Sequence, residues 1–191
     1  MRLILGSTSP RRASLLSQLD VPFEVIAPDV DETQLAGEAP EVYVTRMSNA
    51  KHERVVQKLD AEGLVIAADT VVVLGDEILG KPANEAQGAE MLSRLSGNQH
   101  RVLTSVTIGP NGRRNEQFVI ETIVRFRTLT TIECNAYWRT GEPQDKAGGY
   151  GIQGVGAIFI ESIQGSYTNV VGLPLTETAA SLRGYGISIL A

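Results

Sequence analysis

The sequence predicts an α/β protein with a mixed, twisted sheet flanked by helices. Three observations carry that expectation. Strand-like and helix-like segments alternate along the chain, hairpin signals interrupt the alternation, and the segment Leu64 to Leu74 is apolar at both parities around one aspartate. A strand apolar on both faces belongs in a sheet covered on both sides. The turn sequences Gly75-Asp76 and Pro110-Asn111-Gly112 instead point to antiparallel neighbours, so the sheet is mixed rather than uniformly parallel. A chain of 191 residues suits one globular domain, or two lobes sharing a core, and no stretch is rich enough in Pro, Gly or Ser to divide it.

The elements follow in order. Leu3 to Leu5 read as a short buried strand. Ser9 is a good N-cap and Pro10 suits the first helical position, opening a helix to Leu19 with Leu15, Leu16 and Leu19 on one side. Phe23 to Ile26 fit a second strand, and Pro28 to Thr33 form a polar loop. A long helix runs from about Pro40 to about Leu59, with Val44, Met47 and Val55 as its inner stripe. Leu64 to Leu74 is the strongest strand, turning at Gly75-Asp76 into a return strand from Glu77 to Lys81. Asn84 caps a helix to about Leu95. Val102 to Ile108 and Gln117 to Phe126 are strands joined across Pro110-Asn111-Gly112, and Thr130 or Thr131 caps a helix to about Arg139. A glycine-rich polar stretch from Gly141 to Gly154 precedes a strand from Val155 to Ile163. Gly165 to Pro174 reads as a loop offering hydroxyls and an amide, and Pro174 opens the last helix, to about Leu182.

The net charge of -5 argues against a general nucleic-acid-binding surface but says nothing about one basic cleft. A lone cysteine, Cys134, excludes an intramolecular disulfide and fits a reducing compartment. The apolar run near the N-terminus is shorter than a signal peptide needs, and no run reaches membrane-spanning length. The expectation is a cytoplasmic enzyme with no nucleic-acid or membrane partner. His52 and His100 lie far apart in sequence, so they read as surface residues rather than as a zinc-type site.

Asp69 stands out because a carboxylate in a doubly covered strand is costly unless it is paired, bound to metal or open to a cleft. It is either a structural aspartate or the centre of a site. In a two-residue hairpin Thr70 pairs with Lys81 and Asp69 with Pro82, so Lys81 comes near Asp69, although Gly80 and Pro82 can break the register. The alternative for Lys81 is an exposed edge lysine. Asp29, Asp31 and Glu32 form a carboxylate cluster that could join Asp69 around a hard divalent cation. Lys51 sits on the long helix, where solvent exposure is the default. Gly149-x-Gly151-x-x-Gly154 has the spacing of a dinucleotide fingerprint but does not follow a strand and open a helix, which excludes that reading. Its glycines instead let a loop fold closely over a ligand, with Lys146 and Gln153 available to it. Arg11 and Arg12 occupy a first helical turn, where the field opposes positive charge. With a small-residue loop and free N–H groups before them, they form a candidate anion site.

Together, GSTSPRRASLL at 6–16, DVDET at 29–33, AADTVVVLGDEILGKP at 67–82, LSGNQHRVLT at 95–104, DKAGGYGIQG at 145–154 and NVVGLPL at 169–175 resemble the Maf family of nucleoside triphosphate pyrophosphatases, over nearly the whole chain. The resemblance implies a two-lobed, inosine-triphosphatase-like fold around a cleft, frequent dimers, and Mg2+- or Mn2+-dependent hydrolysis of a nucleoside triphosphate to monophosphate and pyrophosphate. Ser7, Arg11 and Arg12 match its phosphate-binding motif. Glu32, Lys51, Asp69 and Lys81 match its polar cleft positions, with Asp69 at the position of the proton acceptor and Glu32 and Asp69 the expected metal ligands. Arg11, Thr70 and Gln153 occupy positions that vary with substrate. The combination looks like the branch acting on dTTP and UTP, whereas the 7-methyl-GTP branch has Trp, Gln and Glu there. Gly6 stands where Ala is common. Other readings are a non-enzymatic nucleotide-binding regulator of septum formation and division arrest, a purine triphosphate enzyme of ITP type, and a phosphatase releasing orthophosphate.

Overall fold

The computed structural model describes residues 1–111 and 115–190, so Gly112 of the expected turn lies outside the described residues. In chain order the elements are β1 Leu3–Gly6, α1 Pro10–Ser17, β2 Glu24–Val25, α2 Pro40–Gln57, β3 Leu64–Leu74, β4 Glu77–Leu79, α3 Glu85–Leu95, β5 Gln99–Pro110, β6 Glu116–Phe126, α4 Thr131–Trp138, β7 Ile160–Gln164, α5 Tyr167–Val171 and α6 Leu175–Gly184. Among the described residues, seven strands form one mixed sheet in the order β2-β1-β3-β5-β6-β7, with β4 paired to β3. The chain divides into two compact units. The first comprises Met1–Asp69, Thr104–Ile120 and Gly172–Ala191; the second comprises Thr70–Leu103 and Glu121–Val171.

In the first unit β1 pairs in parallel with β2 and with β3. Parallel neighbours need crossover connections, which α1 and α2 supply. The side chains of Ile4, Val55 and Val65 meet between helix and sheet, with Ile26, Val56 and Leu59 packed around them. Val44, Met47 and Val55 are buried, as their spacing predicts. Gly6 ends β1 where a Cβ would come 3.0 Å from the Val55 side chain, so the alanine common at this position needs that side chain to give by a few tenths of an ångström.

The second unit has its own core, in which Leu92, Leu95, Val124, Phe126, Cys134, Tyr137, Tyr150 and Phe159 pack together. Asn84 caps α3, accepting from the Gln87 N–H, and Thr130 and Glu133 form a reciprocal capping box on α4. Asn169 is fully buried, its Nδ2 donating to the Val102 carbonyl and to Thr122 Oγ1.

Four expectations need correction. The return strand β4 ends at Leu79, so the ladder stops before Lys81. Its observed pairs, Val72 with Leu79 and Val73 with Ile78, keep the two-residue-turn register, and Gly80 and Pro82 end it. The strand expected from Val155 begins only at Ile160; Val155–Phe159 is a 3-10 helix whose first N–H groups are taken by Glu142. The loop expected over 165–174 contains α5, begun by Ser166, whose Oγ accepts from the Asn169 N–H. His52 and His100 are not surface residues: each is 2% exposed.

Candidate active site

The end of β1 lies in register with β3, Gly6 opposite Ala67, which sets Ser7 beside the approach to Asp69. Ligands of α/β sheets gather at such carboxyl ends of parallel strands. Ser7 is buried and its Oγ accepts from the Ser9 N–H at 3.1 Å, shaping the turn into α1. Ser9 Oγ accepts from the Arg12 N–H, a cap of the kind that stabilises a helix by about 1 kcal/mol. Arg12 then folds back: its Nε donates to the Gly172 carbonyl at 2.8 Å, and its Nη1 lies 3.5 Å from Ser7 Oγ. Burial pushes the Arg12 guanidinium below its ordinary value, Asp69 and Glu32 pull it back up, and Arg11 pushes it further down. It remains cationic, because arginine has no accessible neutral form near neutral pH. Within the protein, the Gly172 carbonyl, Ser7 Oγ and the charges of Asp69 and Glu32 all act on the Arg12 guanidinium.

Asp69 is 7% exposed and Lys51 is 6% exposed. Lys51 Nζ donates to Asp69 Oδ1 at 2.6 Å and lies 2.6 Å from Glu32 Oε1. The three groups carry a formal charge of minus one. Solvent exposure is the default for a helical lysine, yet Lys51 falls four residues from both Met47 and Val55, on the buried stripe of α2. That spacing is the available signal: a lysine on an apolar stripe has to meet a carboxylate.

Glu32 is held from α2 as well. Tyr43 Oη donates to the Glu32 carbonyl at 2.8 Å, and its phenol is pushed up to about 12 by burial and by the charges of Asp69 and Glu32, so it stays a donor. Arg46 Nη2 donates to the Thr33 carbonyl, and the same guanidinium grips both oxygens of Glu38 at 2.6 Å. Asp31 turns onto Thr33, accepting from its N–H at 2.9 Å and its hydroxyl at 2.6 Å. The members of the carboxylate cluster therefore play different parts, Asp31 shaping the loop and Glu32 reaching Lys51.

Glu32 and Asp69, both in contact with Lys51, are hard oxygen donors. That donor type suits Mg2+ or Mn2+, which bind through one or two carboxylates together with substrate phosphates. Among the described residues no three His, Cys, Asp or Glu side chains converge into a closed metal cage.

In the second unit Thr70 is half-buried on β3, and Lys81 and Gln153 are exposed. Gln153 lies in the turn between the short helix Ala147–Gly149 and Val155–Phe159. Glu142 and Tyr137, to which sequence reasoning assigns no part, bind that turn. Tyr137 Oη donates to Glu142 Oε1 at 2.7 Å and accepts from the Gly151 N–H at 3.0 Å. Glu142 accepts from the Val155 N–H at 2.8 Å and the Gly156 N–H at 3.2 Å. Burial pushes the Glu142 carboxyl up, but the hydrogen bonds from Tyr137, Val155 and Gly156 outweigh it and hold the group below its ordinary value. Burial and Glu142 push the Tyr137 phenol well up, so it is the donor of the pair. His100 Nε2 lies 2.7 Å from Tyr150 Oη, and burial pushes His100 down to about 4, so it is neutral.

A family model described as "Maf-like protein" matches residues 2–185. A dTTP/UTP pyrophosphatase of Pseudoalteromonas atlantica is 50% identical over 92% of this chain and 93% of its own length. A namesake from Colwellia psychrerythraea is 50% identical over 97% of this chain and 89% of its own. One from Myxococcus xanthus is 48% identical over 98% of this chain and 94% of its own. Among solved structures, a nucleoside-triphosphatase / dITP/XTP pyrophosphatase from Mycobacterium abscessus superposes with a TM-score of 0.50 at 13% identity, covering 97% of this chain and 95% of that one, a likeness of fold.

Proposed function

The chain belongs to the Maf family, and on that premise we propose that it hydrolyses dTTP and UTP to the monophosphate and pyrophosphate. The observation that carries the reading is the buried Lys51 holding Asp69 and Glu32 at 2.6 Å each, in the unit that also holds the Ser7–Arg12 loop. Relatives of nearly full length that carry the dTTP/UTP pyrophosphatase name support the substrate class. The reading takes the protein as a cytoplasmic enzyme; no helix among the described residues is long and apolar enough to cross a membrane.

The chemistry divides among the chain's own groups. The α1 start, Ser7 and the outer nitrogens of Arg12 receive triphosphate oxygens, and the Gly172 carbonyl fixes the plane of the guanidinium. Asp69 accepts a proton from the water that attacks the α-phosphate. Lys51 orients that carboxylate and, with Lys81, offsets charge on the leaving pyrophosphate. Glu32 and Asp69 are the groups that would hold Mg2+ or Mn2+, which when bound draws charge from phosphate oxygens and acidifies water. Gln153 can donate and accept in one plane, which suits the O4 and N3–H edge of thymine or uracil, and Arg11 and Thr70 share in substrate choice. The work is mostly positioning and charge stabilisation.

A substrate panel of dTTP, UTP, CTP, GTP, ITP and 7-methyl-GTP with Mg2+ or Mn2+, products identified, tests the proposal. Pyrophosphate with dTMP or UMP as the preferred products supports it. Preference for ITP or 7-methyl-GTP, release of orthophosphate, or binding without turnover contradicts it, the last favouring a nucleotide-binding regulator.

A further inference from the structure

The glycine pattern at 149–154 is not a dinucleotide fingerprint, and its spacing alone names no partner. Its geometry supplies one. A Cβ at Gly151 would lie 2.8 Å from Glu142 Oε1, one at Gly156 would lie 2.6 Å from Tyr137 Oη, and one at Gly154 would fall inside the Glu142 carboxylate. The side chains are missing where the Tyr137–Glu142 pair needs the space. The pair itself is fixed from behind. Tyr137 is 2% exposed near the end of α4, packed edge-on against Phe159 at a centroid distance of 4.9 Å. Gly141, at φ 77, turns the chain so that Glu142 returns to it.

We propose that Tyr137 and Glu142 are positioning residues for substrate choice: they clamp the turn at Gly151, Val155 and Gly156, on both sides of Gln153, and so fix where Gln153 presents its amide. The proposal rests on the reading of Gln153 as the residue that reads the base. An exposed amide on a glycine-rich turn would otherwise sample many directions, and a hydrogen bond between base and amide discriminates only when its direction is set. The clamp spans three backbone donors with one carboxylate and one phenol, and the donors at Val155 and Gly156 open a 3-10 helix that would otherwise leave them unpaired.

The test compares kcat and KM for dTTP and CTP in the full chain and in Tyr137→Phe, Glu142→Gln and Gln153→Ala, with thermal melts establishing that each variant is folded. Each clamp variant is expected to lower the preference for dTTP over CTP roughly ten- to hundredfold, mainly through KM for dTTP, with kcat changed less than about threefold. Added to Gln153→Ala, neither clamp change should lower the preference further. If Gln153→Ala lowers the preference while both folded clamp variants keep it, the clamp is refuted and the reading of Gln153 stands. Losses that multiply in the Gln153→Ala background also refute it. If Gln153→Ala itself leaves the preference intact, the reading of Gln153 fails and the proposal falls with it. Should Glu142→Gln not fold, Tyr137→Phe, which removes one hydroxyl, decides alone.

Discussion

Replacing Lys51 by methionine keeps the length of the side chain and its place on the α2 stripe while deleting the charge. Asp69, 7% exposed, then loses the cation bonded to it. Removing one partner of a buried ion pair costs about 3–5 kcal/mol, because the remaining charge loses its compensation. The Glu32 arm adds little: its side chain is 49% exposed, and pairs of that kind contribute at most about 1 kcal/mol. A loss of about 4 kcal/mol is therefore expected, most of it from Asp69. Against the roughly 5–15 kcal/mol that folded domains hold, the variant folds with a much lower midpoint. Adding Asp69→Asn removes the stranded charge, so the double variant should be more stable than the sum of the single losses by about 2 kcal/mol. Urea unfolding at pH 7 of the parent, both single variants and the double variant reads this directly. Additivity within about 0.5 kcal/mol, or a Lys51→Met loss below about 1 kcal/mol, would refute the description of Lys51 as the counter-charge of a buried carboxylate.

His100 predicts a pH dependence. It is 2% exposed and pushed from 6.5 down to about 4, so the unfolded chain takes up a proton before the folded one does. Its contribution is intact above pH 6.5 and is lost as the pH falls toward 4, by about 3 kcal/mol in all. His100→Gln keeps a polar partner for Tyr150 without titrating, so its stability should fall less than the parent's over that window; parallel curves would contradict this. Arg12→Lys cannot hold the Gly172 carbonyl and still offer a planar pair of donors to phosphate. It should lower kcat/KM for dTTP roughly ten- to hundredfold in steady-state kinetics, and an unchanged value would remove Arg12 from phosphate binding.

Much of the scaffold is legible because its signals are local. Ser9, Asn84 and Thr130 cap the helices that their sequence contexts predict, and Leu64 to Leu74 forms one strand with the expected bounds. The same locality explains the failures. Val155 to Ile163 has the composition of a strand, but Glu142 captures the N–H groups of Val155 and Gly156 and bends its first half into a 3-10 helix. Nothing near Val155 in sequence announces that partner. The histidines read as exposed because isolation along the chain resembles isolation in space. His52 sits on the inner face of α2, its Nε2 bonded to the Gly109 carbonyl, and His100 lies among Phe126 and Tyr150. At the candidate site Asp69 is legible from its apolar neighbours. The burial of Lys51 is available from the helical spacing once Val44, Met47 and Val55 are assigned to the stripe. The parts of Tyr43 and Arg46 in holding the Glu32 loop are not, because they act through backbone carbonyls that any residue presents.

In the proposed reaction Asp69 takes the proton of a water attacking the α-phosphate of dTTP. Hydrolysis in water enriched in heavy oxygen, with the products weighed by mass spectrometry, tests it most directly. The expected products are dTMP carrying one heavy oxygen and unlabelled pyrophosphate, with both lost in a folded Asp69→Asn variant that still binds dTTP. Label in pyrophosphate, formation of dTDP and orthophosphate, or full turnover in Asp69→Asn would contradict it.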